Sequence, residues 1–203
     1  MPVPGYWLND AWHGLTPLDT GKWSAVLSLV VSGSDAFAGG YSTNSSGVPV
    51  AGYWLNDAWH GLTPLDAGRE SRVCSLVVAG SDVYAAGFST IGPPPVKVPG
   101  YWLNGNWHGL TPLDVTKNSA VNSIVVYGTD VYAAGYSTNS SGASVPGYWL
   151  NGSWHGLTMS GWVNSLVVSG SNVYEGGQGG CWVNGTYMNQ EGAGEVYSLV
   201  VVQ

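Results

Sequence analysis

The sequence predicts an all-β fold of repeated antiparallel units, and three observations carry that prediction. The first is a repeated phrase: GYWLNDAWHGLTPLD stands at residues 5–19 and again at 52–66, and GYWLNGNWHGLTPLD stands at 100–114. The second is the period. Trp7, Trp54, Trp102, Trp149 and Trp182 are 47, 48, 47 and 33 residues apart, in the range where solenoids, propellers and arrays are found. The third is the texture between those marks, which lacks helical periodicity and alternates short β-branched and aromatic runs with turn residues.

Four strands can be read in each unit. In the unit running through residues 121–157 the first strand is 121–126, closed by the turn Gly128-Thr129-Asp130. The second is 131–136, the third 145–150 and the fourth 154–157. Between the third and fourth stands Asn151-Gly152, matched by Asn104-Gly105 and Asn184-Gly185, the pair best suited to the positive φ angles of a tight hairpin. The first strand is almost continuously apolar, as expected of a strand covered on both faces.

Four antiparallel strands per unit, repeated around a ring, make a β-propeller blade. First strands centred on Val26, Val73, Val121, Val163 and Val196 give five blades in one domain spanning 1–203. The blades are expected at about 22–66, 70–114, 118–158 and 162–190. A closing blade combines 195–203 with 1–16, lacks its second strand, and seals the ring by pairing the N- and C-terminal strands. The fourth unit is compressed, because Gln178-Gly179-Gly180 replaces the long segment seen as 43–50. A monomeric ring is the favoured assembly, with a strand-exchanged dimer as the alternative.

Composition excludes several function classes. Only 8% of residues are charged, and 12 acidic side chains against 5 Lys plus Arg give a net charge of -7 without a basic cluster. Nucleic acid and membrane surfaces are therefore poor partners. Cys74 and Cys181 have no spacing that supports a disulfide or a metal site and are read as buried free thiols. There is no apolar run of membrane-spanning length, and Met1-Pro2-Val3-Pro4 lacks the features of a signal peptide.

The run SxxVSGxDVYxAGY, followed by YWxNG and a short strand containing Leu-Thr, resembles the YWxNG-type repeats of bacterial secreted β-propeller proteins over essentially the whole chain. The resemblance implies a propeller fold and an extracellular or cell-surface location. This chain departs from that pattern in carrying Leu-Asn after the Trp where the repeats have Lys-Asn, and in the Trp-His of its fourth strand. Its self-similarity points to recent amplification or to an engineered repeat protein.

No catalytic constellation can be read. Trp12-His13, Trp59-His60, Trp107-His108 and Trp154-His155 place one His on an outer strand of each of four blades. Sheets stack ~10 Å apart, so these histidines cannot converge on one metal, and none has an adjacent nucleophile or orienting carboxylate. They read as architecture: Trp packs between blades, and His blunts an outer edge. Ser28, Ser75, Ser123, Ser165 and Ser198 recur in first strands and fit a crowded axis. Asp35, Asp82, Asp130 and Asn172 read as turn residues bonded to local backbone. No metal, cofactor or enzyme activity is expected.

Antiparallel connectivity puts the tight turns on one side and the longer loops on the other, and binding residues concentrate on longer loops held by a rigid scaffold. Repeated aromatic, Asn and Asp side chains on that long-loop side suit sugar rings, with their apolar faces and many hydroxyls. The sequence therefore predicts a non-catalytic module that recognises glycans at repeated sites on the long-loop face, with Asp19, Asp66, Asp114, Asn44 and Asn139 as ligand-binding residues. The competing reading is a structural or protein-interaction scaffold without a small-molecule ligand.

Overall fold

The computed structural model describes residues 3–188 and 194–202. A two-stranded hairpin, β1 (Gly5–Leu8) and β2 (Ala11–Gly14), is followed by four antiparallel four-stranded sheets in chain order. They are β3 (Ser24–Ser32), β4 (Asp35–Thr43), β5 (Pro49–Leu55) and β6 (Ala58–Gly61); β7 (Ser71–Ala79), β8 (Asp82–Ile91), β9 (Val96–Leu103) and β10 (Asn106–Gly109); β11 (Ser119–Tyr127), β12 (Asp130–Thr138), β13 (Ser144–Leu150) and β14 (Ser153–Gly156); and β15 (Val163–Ser169), β16 (Asn172–Gly177), β17 (Gly180–Val183) and β18 (Thr186–Met188). No helix occurs among the described residues.

Each sheet is a meander, because its hairpins are dictated locally. Asn104-Gly105, Asn151-Gly152 and Asn184-Gly185 all have positive φ at both positions, and Asn9-Asp10 and Asn56-Asp57 adopt the same geometry without Gly, as a two-residue turn matched to strand twist requires. The Asn side chain then ties this turn to the neighbouring one. Asn104 Oδ1 accepts from the Val83 N–H at 2.9 Å, and its Nδ2 donates to Asp82 Oδ1 at 2.8 Å. Asn56, Asn151 and Asn184 repeat both bonds with Asp35, Asp130 and Asn172. The Asp series therefore accepts from a side chain two strands away, correcting the expectation of purely local backbone bonding. It also fixes the tight turns on one side of every sheet.

The apolar core is layered between successive sheets. Phe37, Ala51 and Leu62 of one sheet pack with Val73, Leu76, Ala85 and Trp102 of the next, and the same composition recurs twice more along the chain. The leading Trp of each third strand is the central element: Trp54, Trp102, Trp149 and Trp182 are all fully buried. Indole burial requires a partner for its N–H. The preceding sheet supplies it, as Thr16, Thr63 and Thr111 carbonyls accept from Trp54, Trp102 and Trp149 Nε1 at 2.8–2.9 Å, and Thr158 Oγ1 lies 3.4 Å from Trp182 Nε1.

The second Trp of the repeat covers glycine. A Cβ at Gly52, Gly100 or Gly147 would come within 2.4, 2.4 or 2.7 Å of the ring of Trp59, Trp107 or Trp154, so the Gly of Gly-Tyr-Trp provides the floor on which that indole lies. The neighbouring Tyr and His stack across the same strand pair, with ring centroids 5.0–5.1 Å apart at near-zero interplanar angles. This places the repeated histidines on the outer strands, as the sequence predicts.

Residues 194–202 carry no strand where one is expected at 196–202. They nevertheless continue the stacking rule. Ser28, Ser75 and Ser123 Oγ accept from the N–H of Leu76, Ile124 and Leu166 in the next sheet, and Ser165 Oγ accepts likewise from Leu199 at 3.1 Å. A Cβ at Gly176 would meet Val196 and Leu199, as one at Gly39 would meet Val73 and Leu76. The segment thus lies on the last sheet in the place of a fifth first strand, but with no second strand to form a ladder with it. Each of these serine hydroxyls is thus an inter-sheet lock. The predicted blade end at 190 and residues 1, 2 and 203 fall outside the described residues.

At the other end, β1 and β2 pair only with each other. Leu15, beyond β2, joins Ala38 and Trp54 in a core cluster. Trp7 is 67% exposed and Leu29 43% exposed, whereas Trp54 is at 0% and Leu76 at 4%, because no second strand precedes them to cover them. Cys74 and Cys181 are free and of intermediate exposure, with burial still pushing the Cys74 thiol up to about 11.

One core residue breaks the repeat. Ala38, Ala85 and Ala133 sit opposite Trp54, Trp102 and Trp149, but Glu175 sits opposite Trp182. It is fully buried, and neither carboxylate oxygen has a hydrogen-bond partner. Burial pushes its pKa from 4.5 up to about 7.

Candidate functional site: a cleft on the long-loop side

The five residues read from sequence as ligand contacts lie on the long loops, where their side chains build the loops themselves. Asp19, Asp66 and Asp114 Oδ1 accept from the N–H two residues on, at Gly21, Gly68 and Thr116. Asn44 Oδ1 accepts from the Ser46 and Val48 N–H groups, and Asn139 Oδ1 from Ser141 Oγ and the Ala143 N–H. Short polar side chains bond their own backbone in this way at turns. The Asp114 carboxyl is held below the usual carboxylate range mainly by its bond from the Thr116 hydroxyl.

Two of those turns frame a cleft of about 490 Å³, lined by Lys117, Asn118, Tyr136, Thr138, Ser144 and Trp162, with Gly142 at its edge. The Asp114 turn presents Lys117 and Asn118, and the Asn139 turn presents Gly142. Asp19, Asn44 and Asp66 belong to the corresponding loops of other sheets and do not line it. The volume falls in the range of small-molecule sites, about 300–1,000 Å³.

A shortened connection accompanies the cleft. Leu157 and Val163 are six residues apart, whereas Leu110 and Val121 are eleven apart, so the loop entering β15 is five residues shorter than its predecessor. Gly161 meets this constraint with φ 137° and donates its N–H to the Ser144 carbonyl at 3.0 Å. The next residue is Trp162, whose Nε1 donates to Glu195 Oε1 at 2.9 Å. Glu195 also accepts from Asn164 Nδ2 at Oε1 and from the Tyr197 hydroxyl at Oε2. The Asn164 bond, then the Trp162 bond, lower its pKa. Trp162 is thereby held by its polar edge.

Tyr136 projects from β12 into the position held by Tyr41 on β4 and Phe88 on β8. The pairings Ala25–Tyr41, Arg72–Phe88 and Ala120–Tyr136 establish the equivalence. Burial raises the Tyr136 pKa. Asn118 Oδ1 accepts from the Lys97 N–H of the preceding sheet, and Thr138 N–H donates to Ser119 Oγ within its own sheet, so the polar rim is anchored at both points. Among the described residues no group of three or more His, Cys, Asp or Glu is placed to hold a metal ion.

Sequence reasoning missed all of the lining residues, because Tyr136 reads as one more strand aromatic and Trp162 falls at the start of the fourth blade without a role of its own. The available signal was departure from the repeat. Trp162 stands where the other sheets carry Ala25, Arg72 and Ala120, and Ser144 stands where they carry Pro49 and Lys97. Neither the protein-family models nor the curated proteins contain a match to this chain.

Proposed function

We propose that the four-stranded sheets are blades of a five-bladed β-propeller, and that the protein is a non-catalytic binding module taking a glycan in the Tyr136–Trp162 cleft. The observation that carries the ligand assignment is the pairing of two aromatic side chains with hydroxyl and amide groups of Thr138, Ser144 and Asn118 around one opening of saccharide size. Aromatic faces cover the apolar side of a sugar ring, while side-chain amides and hydroxyls meet its OH groups. Extracellular placement belongs to the same proposal, through the resemblance of the repeats to those of secreted propellers.

Titration with a panel of neutral and charged oligosaccharides tests the binding reading. Intrinsic Trp fluorescence is expected to change on saturation, and Trp162→Ala is expected to weaken binding tenfold or more while leaving the melting temperature within a few degrees. A response that survives Trp162→Ala unchanged would remove the cleft from consideration.

Ring closure requires β1–β2 and residues 194–202 to share the fifth blade. The exposed Trp7 and Leu29 at one end, and Val200 and Tyr197 at the other, are the apolar surfaces such a blade would cover. Deleting 194–203 is then expected to accelerate amide hydrogen exchange across residues 5–14. Unchanged exchange in that hairpin would mean that the two ends do not meet.

A further inference from the structure

We propose that the cleft selects a cationic amino sugar, recognised by its ammonium group over the face of Tyr136 and its pyranose ring beside Trp162. The inference rests on the glycan reading given above and adds to it the charge of the ligand. Its warrant is internal: the protein contains the same aromatic position three times, and two copies already show what occupies it.

Over Tyr41 lies the Arg72 guanidinium, 4.4 Å from the ring centroid. Over Phe88 lies Lys97 Nζ, 4.3 Å from the centroid. The two cations arrive by different routes. Arg72 comes from the first strand of the following sheet, immediately before Val73, and Lys97 from the third strand of the same sheet, opposite Thr90. At Tyr136 the first route ends in Trp162 and the second in Ser144, opposite Thr138. Among the described residues no side-chain cation is stationed over the Tyr136 ring, and the cleft opens there. A cation held against an aromatic face is stabilised by the quadrupole of the ring, and more strongly as it is desolvated. The site therefore keeps the receptor and lacks the internal ligand.

Charge around the opening is mixed. Glu195 sits at the polar edge of Trp162 and the chain carries net charge -7, both favouring a cation. Lys117 on the rim opposes one. A free ammonium on a sugar satisfies both halves of the cleft, because its ring can lie against the Trp162 indole while Thr138, Ser144 and Asn118 meet the hydroxyls.

The experiment compares four probes by calorimetry or Trp fluorescence: a glucosamine tetramer, its fully N-acetylated counterpart, a glucose tetramer and tetramethylammonium. The glucosamine tetramer is expected to bind at least tenfold more tightly than either neutral tetramer, with tetramethylammonium competing for the site. Tyr136→Phe should retain that preference and Tyr136→Leu should abolish it, while Lys117→Met should strengthen glucosamine binding. Equal affinity for the three tetramers overturns the charge selection and leaves the glycan reading standing. Binding of tetramethylammonium with no response to any saccharide overturns the amino-sugar assignment together with the glycan reading. Silence of all four probes removes both, as does a preference that persists in Tyr136→Leu.

Discussion

Replacing Glu175 by Gln is expected to flatten a pH dependence of stability that the wild-type protein carries through the weakly acidic range. Glu175 is fully buried without a partner for either oxygen, and burial raises its pKa from 4.5 to about 7. At pH values below 4.5 the group is protonated in both folded and unfolded chains and costs nothing in charge. Between 4.5 and 7 the folded protein holds a proton that the unfolded chain has lost, so stability falls as pH rises. Above 7 the carboxylate is ionised in both states and the full cost, about 3 kcal/mol, is present. Tyr148 is the ionisable neighbour that feels this charge, its pKa raised chiefly by burial and secondarily by Glu175. The Gln variant keeps shape and polarity but not the charge. Urea unfolding at pH 5 and pH 8 is therefore expected to give similar stabilities for the two proteins at the lower pH and a Gln variant more stable by roughly 3 kcal/mol at the higher. Parallel profiles would show that the carboxyl is solvated or paired in solution.

Glu175 also shows where the repeat stops being informative. Strand existence, the Asn-Gly hairpins and the four-strand unit were legible because each follows from a local rule: alternation, turn chemistry and a fixed period. The inter-sheet packing was legible in outline, since a Trp recurring once in every unit needs a recurring socket. The cleft was not, because it arises where the repeats differ. Shortening the loop before Trp162 and placing Ser at 144 have no meaning in the sequence until the neighbouring sheet supplies Arg72 and Lys97 for comparison. The Asp and Asn residues read as ligand contacts recur for a reason of the loops' own. Their recurrence reports the loops' own hydrogen bonds, with Asp114 and Asn139 contributing to the cleft by shaping the turns that carry Lys117 and Gly142. The fifth unit was legible in composition but not in pairing, since the Val196-to-Val202 run specifies a strand only when another strand lies beside it.

Gly135→Ala is expected to be among the most damaging single substitutions in the protein, although it adds one methyl group. Gly135 lies opposite Val121 at a β-bulge, where the ladder skips Asn122 and resumes at Ser123 opposite Ala134. A bulge of this kind kinks its strand, and a Cβ at Gly135 would stand 2.1 Å from the Ala120 carbonyl oxygen. The obstacle is backbone in the middle of a sheet, with no flexible side-chain end to give way. A Cβ at Gly40, Gly87 or Gly177 would stand 1.9, 2.0 or 2.0 Å from the equivalent carbonyl oxygen of Ala25, Arg72 or Trp162, so the bulge and its glycine form one device used in all four sheets. Relief requires either opening the ladder or shifting β11 against the next sheet, where Val121 is fully buried. Overpacking typically costs about 1–3 kcal/mol, and a clash between fixed backbones belongs at or above the top of that range. The expected loss is about 3 kcal/mol or more, a fall in melting temperature of roughly 6–12 °C for a chain of this size. Two controls separate this clash from generic effects of replacing glycine. At Gly68 the nearest atom to an added Cβ is Asp66 Oδ1 at 3.6 Å, so Gly68→Ala should change stability by less than about 0.5 kcal/mol. Gly128 has open space but φ 63°, so Gly128→Ala should cost only the ~1–2 kcal/mol of a left-handed backbone. If Gly135→Ala melts no lower than Gly128→Ala, the bulge relaxes freely and the carbonyl contact does not limit the residue at this position.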